Sequence, residues 1–175
     1  SDIHKYPKPS VAVDIVIFTV QERKLKVLLV KRKSDLKKGE WALPGGFIKL
    51  EESLEESAQR ILSQKTGVKD VYLEQLYTFG EPLRDTRGRV ISVAYFALID
   101  SAKIKLQPNE KIADAQWFSM YEYPSLAFDH KKILDYSFAR LRSKLEYTTV
   151  GFQLLPEKFT LTELQKLYEV IFINY

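Results

Sequence analysis

The chain has 175 residues, 45% apolar and 29% charged, the balance of a globular protein able to bury a sizeable core. Lysine plus arginine exceed aspartate plus glutamate by 27 to 23, an excess too small to argue nucleic-acid binding from charge alone. With no cysteine, disulfides, thiolate catalysis and cysteine-based zinc sites are excluded, and the two histidines, His4 and His130, are too far apart for a histidine pair on one helix face.

No basic-then-apolar leader opens the chain, and no apolar run approaches the roughly 20 residues of a membrane helix. A cytoplasmic location is therefore expected, and Ser1 in place of methionine suggests processing or a boundary. Residues 1–10, with Pro7 and Pro9, read as an extended lead-in. Val11 to Val20 is a β-branched apolar run broken by Asp14, the pattern of a buried strand. After a polar turn at residues 21–24, Leu25 to Val30 forms a second strand, followed by the basic Lys31-Arg32-Lys33. Residues 41–47, WALPGGF, read as a tight loop in which paired glycines follow a proline.

Ser53 with Glu56 three residues on is a capping box, and Gly67 is a C-terminal stop, so a helix is predicted between them. Leu54, Ala58, Ile61 and Leu62 give it one apolar stripe. Val71 to Phe79 and Val90 to Ile99 are predicted strands, the second apolar on both faces and so central, with the charged turn 84–89 between them. Ala115 to Phe118 is a short further strand. Asp129 opens a second helix through about Leu145, with Leu134, Phe138, Leu141 and Leu145 on its stripe. After a connector from Gly151 to Pro156, Thr160 and Glu163 cap a last helix carrying Leu161, Leu164, Leu167, Tyr168 and Ile171.

Strand, glycine-rich loop and capped acidic helix together carry a resemblance. Residues 46–68, GFIKLEESLEESAQRILSQKTGV, resemble the Nudix box, G-x5-E-x7-R-E-u-x-E-E-x-G-u with u apolar. Gly46, Glu52, Arg60, Leu62, Gly67 and Val68 match. Three box glutamates are replaced, by Ile61, Gln64 and Lys65. In the family those carboxylates hold magnesium, which takes hard oxygen ligands and activates the attacking water. Isoleucine offers no lone pair, glutamine only a neutral oxygen, and an ammonium repels the cation. The resemblance with these departures implies a domain that binds a nucleotide-type ligand with little or no hydrolysis, and no residue is assigned to catalysis. Glu52 and Glu56 remain as vestigial metal ligands, although acidic residues in a first helical turn, Glu55 included, are equally expected from the helix dipole.

Residues 76–99, 125–134 and 151–171 resemble the Nudix-related transcriptional regulators of the NrtR type. In those proteins a degenerate Nudix domain senses ADP-ribose or a related metabolite, and a C-terminal winged helix-turn-helix binds the operator. The implied fold is α/β, a Nudix-type α/β/α sandwich with a mixed sheet over residues 1–148. The N-terminal part of a winged helix-turn-helix follows over residues 149–175. The winged domain is expected to be truncated, leaving the apolar stripe from Leu161 to Ile171 exposed. By position, the resemblance implies a ligand pocket of Arg32, Leu43, Gly45, Gly46, Phe47, Phe79, Arg84 and Asp85. Arginine suits phosphate and an aromatic face can stack a base. Each has a plainer role open to it: Arg32 as a solvated strand end, Phe79 as core, Arg84 and Asp85 as a local turn pair.

The expected partners are an ADP-ribose-like or sugar-phosphate ligand, DNA through a complete C-terminal domain, and a second copy in a homodimer, with no membrane. No cofactor is implied unless hydrolysis survives, in which case magnesium is. The alternative is an active hydrolase resembling ADP-ribose pyrophosphatases, with a displaced carboxylate from Glu81, Asp85 or Glu110.

Overall fold

The computed structural model describes residues 1–34, 36–104 and 112–172. The apolar run predicted as a buried strand is β1 (Ser10–Gln21), with Val13 and the whole of Ile15–Phe18 inaccessible to solvent. It turns directly into β2 (Lys24–Arg32) through Glu22 and Arg23, both with left-handed backbone (φ 51° and 60°), the two-residue geometry that matches the strand twist.

The hairpin pairs only over its first four rungs, from Gln21–Lys24 to Phe18–Val27. Beyond them the two strands part, and the 41–47 segment enters the gap. That segment was expected as a loop; it forms two very short strands, β3 (Trp41–Ala42) on β2 and β4 (Gly45–Phe47) on β1. Elements of two and three residues carry no readable period. On its other edge β1 runs parallel to β6 (Val90–Leu98), which is flanked in turn by antiparallel β5 (Tyr72–Phe79). β7 (Ile112–Ser119), longer than the predicted 115–118, pairs with the outer edge of β2. The result is a seven-stranded mixed sheet in the order β3-β2-β1-β6-β5, with β4 and β7 branching from β1 and β2.

Because side chains alternate along a strand, β1 feeds two cores. Val13, Ile15 and Ile17 pack against Ala58, Ile61 and Leu62 of α1 (Leu54–Thr66). Val16 and Phe18 face α2 (His130–Tyr147) and α3 (Leu161–Phe172) on the opposite side. This is the α/β/α sandwich. α1 starts at the expected capping box, where Ser53 Oγ accepts from Glu56 N–H and Glu56 Oε2 accepts from Ser53 N–H, and it ends at Gly67 with φ 71°.

The last helix corrects an expectation. Its stripe is not exposed: Leu167, Val170 and Ile171 are buried in the same cluster as Leu141 and Leu145, although Leu161 at the helix start is 83% exposed. Val150 and Leu154, in a short 3-10 turn (Val150–Leu154), complete that cluster. The Tyr168 hydroxyl donates to Leu145 O at 3.1 Å, closing the helix onto the end of α2. No helix among the described residues is long and apolar enough to cross a membrane.

Candidate functional site

A cleft of about 320 Å³ opens where β1 and β2 diverge. Its floor is Ala12 and Asp14 of β1, Val30 of β2, and the Ala42-to-Phe47 segment that fills the gap. Gly45 is required there. A Cβ on it would stand 2.1 Å from Asp14 Oδ1 and 2.8 Å from Val13 O. The backbone can therefore pass the carboxylate only without a side chain.

Seven of the eight residues expected by position line this cleft: Arg32, Leu43, Gly45, Gly46, Phe47, Arg84 and Asp85. Phe79 is not among them. It is 4% exposed in the core under β5, with its ring edge-on to Tyr77 and Tyr136. The aromatic faces of the cleft come from Phe47 and from Phe128, which the sequence reading did not single out. Phe128 adopts left-handed backbone (φ 53°), strained for a residue with a Cβ. The segment before it is tied down by Ala127 N–H donating to Trp41 O at 2.8 Å.

Cations cover the Phe128 ring. The Arg32 guanidinium lies 4.9 Å and that of Arg87 5.5 Å from its centroid, and Arg87 also sits 5.2 Å from the Phe47 ring. Arg32 donates from Nη2 to Ser34 Oγ at 2.9 Å and from Nε to Leu36 O at 3.2 Å. Its pKa is pushed down, first by burial and next by the like charge of Arg87. Two guanidiniums against one aromatic ring in a half-enclosed cleft make it attractive to an anion. Arg87 itself is anchored to Asp85, donating from Nη2 at 2.6 Å and from Nε at 3.0 Å, and those bonds hold the Asp85 carboxyl below its usual pKa.

Arg84 has a second engagement besides lining the cleft. Its side chain is 3% exposed and forks onto Asp129, with Nε donating to Oδ2 at 2.9 Å and Nη2 to Oδ1 at 2.6 Å; Asp14 Oδ2 lies 3.8 Å from Nη2. Arg84 therefore lines the cleft while also acting as a buried strut across 45 residues. Beside it, His130 is buried. Leu43 N–H donates to its Nδ1 at 3.0 Å, and Nε2 faces Asp14 Oδ1 at 3.6 Å. Burial, opposed by Asp14, pushes its pKa down, so the ring is neutral with the proton on Nε2. The Ser92 hydroxyl donates to Asp14 Oδ2 at 2.5 Å, completing a buried polar floor.

The donor set does not fit a magnesium site. Glu52 accepts from Arg60 Nε at 2.7 Å, Arg60 Nη2 at 2.9 Å and Ser57 Oγ at 2.8 Å. The Arg60 bonds hold its carboxyl at about 2. Glu56 is committed to the capping box. Ile61 is 2% exposed in the α1-side core, Gln64 is exposed, and Lys65, whose direction the sequence left open, is 5% exposed and lines the cleft. Of the displaced carboxylates, Glu81 is exposed, Asp85 is bound by Arg87, and Glu110 lies outside the described residues. Among the described residues no three of His, Cys, Asp and Glu gather as a metal site.

Residues 8–138 match the NUDIX domain family model, and residues 151–173 match the NrtR DNA-binding winged helix domain. The chain is 42% identical over 170 residues to the ADPR responsive transcriptional repressor NtrR of Acinetobacter baylyi, covering 95% of this chain and 68% of that protein. It is 39% identical over 129 residues to an ADP-ribose pyrophosphatase of Methanocaldococcus jannaschii, covering 74% of this chain and 73% of that one. Shewanella oneidensis NrtR in complex with a 27mer DNA superposes with a TM-score of 0.85 at 40% identity, over 93% of this chain and 75% of that one. The NUDIX domain of the same protein with ADP ribose superposes with a TM-score of 0.71 at 38% identity, over 81% and 94%.

Proposed function

Because the chain belongs to the Nudix family, in its NrtR-type branch, we propose that it is a ligand-sensing transcriptional regulator that binds ADP-ribose or a closely related nucleoside diphosphate sugar and hydrolyses it little or not at all. The observation that carries this reading is the cleft: guanidiniums stacked on aromatic rings, with no set of carboxylates among the described residues to hold a metal. Arg32 and Arg87 take the diphosphate, while Phe47 and Phe128 offer faces for the base or ribose. Leu43 and the Gly45-Gly46 backbone form the floor against which the ligand lies, and Asp85 positions Arg87. The A. baylyi relative answers to ADPR and the S. oneidensis relative holds ADP ribose and DNA, which supports the same ligand and target here.

Residues 149–175 are the N-terminal part of the DNA-binding unit, with residues 1–148 as the sensor. Ligand binding shifts the protein between DNA-bound and released states to the extent that its affinity differs between them. On this reading the protein binds DNA as a homodimer, the two-fold arrangement that a palindromic operator would require.

The 39% identity to an ADP-ribose pyrophosphatase favours one other reading, hydrolysis of the same ligand through a displaced carboxylate. Calorimetric titration of ADP-ribose into the protein with magnesium, sampled for AMP, separates the two. Saturable binding with intact ligand supports the sensor. AMP appearing with turnover replaces it by the hydrolase, and no heat at all removes both.

A further inference from the structure

Leu43 and Pro44 carry the chain across the gap between the parted strands. The segment leaves the β2 ladder after Ala42, opposite Val30, and joins that of β1 at Gly45, opposite Asp14. On the way Pro44 O accepts from Ile15 N–H at 2.9 Å. Leu43 is buried, so its N–H needs an acceptor inside the protein. It donates to a side chain, reaching His130 Nδ1 at 3.0 Å. A neutral imidazole offers a lone pair at Nδ1 only when its proton is on Nε2. Nε2 faces Asp14 Oδ1 at 3.6 Å, and that negative charge favours a proton there. The same Oδ1 stands 2.1 Å from where a Cβ on Gly45 would be. One carboxylate oxygen therefore favours the tautomer on one side and restricts residue 45 to glycine on the other.

His130 is also the last of four successive residues that each hold a different part of the cleft. Ala127 N–H donates to Trp41 O, the Phe128 ring lies beneath the Arg32 and Arg87 guanidiniums, and Asp129 takes the Arg84 fork. His130 is the member of this set that reaches the start of the glycine segment. Phe128, in left-handed backbone, turns the chain between the tie to Trp41 and the first turn of α2.

We propose that His130 is a positioning residue for ligand binding: by accepting from Leu43 N–H, it sets the Gly45-Gly46 backbone where the ligand lies on it. The role belongs to one ring atom. An acceptor at the place of Nδ1 is what the segment requires, and the rest of the ring is dispensable for it. This inference rests on the ligand-binding reading above and deepens it.

The test is titration of ADP-ribose into the full chain as wild type, His130→Asn, His130→Gln and His130→Leu, each well below its thermal midpoint. An asparagine carboxamide oxygen falls where Nδ1 stands, whereas glutamine carries its carboxamide one bond farther out, near Nε2. His130→Asn should keep the Kd within about threefold of wild type. His130→Gln and His130→Leu should weaken binding by roughly tenfold or more. His130→Asn losing as much as His130→Leu overturns the proposal, and so does either His130→Gln or His130→Leu binding as tightly as the wild type. Where a variant fails to fold, the ring nitrogen shifts of the wild type decide: a bare Nδ1 with a protonated Nε2 upholds the role, and a proton on Nδ1 overturns it. A wild type that binds no ADP-ribose defeats the ligand reading itself, and this inference with it.

Discussion

Arg84 and Asp129 are joined by two parallel hydrogen bonds, although 45 residues separate them in the chain. Asp129 is the residue before α2, the usual capping position, yet its side chain makes no cap bond because the fork to Arg84 occupies it. The pair therefore trades helix capping for a tie between the 84–89 turn and the base of α2. Arg84→Ala should remove a buried charge facing two carboxylates and cost on the order of 3–5 kcal/mol. Urea denaturation of the variant measures this, and an unchanged midpoint would mean the fork is not a structural strut.

Arg87→Ala and Arg32→Ala should each weaken ADP-ribose binding by about tenfold or more, the loss of one charge-assisted contact. Arg87 is 41% exposed at its side chain but its removal strands the buried Asp85 carboxylate, so the thermal midpoint should fall, by less than for Arg84→Ala, where both partners are enclosed. Titration calorimetry alongside a melting curve checks both halves. A midpoint falling as far as that of Arg84→Ala, with affinity unchanged, would assign Arg87 to the scaffold instead.

Gly45→Ala should be poorly tolerated. The added methyl meets Asp14 Oδ1 and the Val13 carbonyl well inside contact distance, and backbone cannot yield as a flexible side chain does. Overpacking of this kind costs roughly 1–3 kcal/mol and should also shift the polar floor. Gly46→Ala, whose Cβ would meet Ile61 Cδ1 at 3.6 Å, an ordinary contact, is the control and should be milder. Equal stability of the two variants would contradict the geometry.

Acidification should act through His130. Its folded pKa lies below the ordinary 6.5, so the unfolded chain takes up the proton first. Stability is then full above about pH 6.5 and declines as the pH falls below it. Glu52, depressed from 4.5 to about 2, adds a second loss only in more acid solution. Denaturation midpoints near pH 7.5 and near pH 5.5 should differ, and His130→Gln should flatten that difference. A wild type equally stable at both would show that His130 does not stay neutral on folding.

Leu167→Ala should destabilise the whole chain by ~2–5 kcal/mol in a single transition, because its side chain is 2% exposed within the cluster shared with α2. Separate melting of the last helix, with the remainder unaffected, would refute a common core.

Sequence periodicity reached what is regular and local. β1, β2, β5, β6 and all three α-helices lie within a few residues of the expected spans, since each repeats its pattern over several turns or alternations. β3 and β4 escaped because two and three residues show no period. The box departures were legible at Ile61, Gln64 and Lys65, yet the direction of Lys65 depends on where α1 docks, which only the fold sets. Arg84 and Arg87 look alike in the turn. Which one stays half-exposed at the cleft and which is buried is set by Asp129, far along the chain. Phe128 left one faint trace, a lone aromatic between Ala127 and the Asp129-His130 pair that starts α2, and its ring position comes from the tie of Ala127 to Trp41. Phe79 shows the converse: an aromatic at a strand end whose pleat turned it inward.

One end of α2 contributes His130 to the cleft, and the other receives the Tyr168 hydroxyl on its Leu145 carbonyl. Its 18 residues make a rod of about 27 Å. A rod this long is a mechanical lever. Each degree of tilt at the cleft end would carry the far end about half an ångström. Any tilt of α2 at the cleft would therefore reach the Tyr168 contact magnified by the length of the helix.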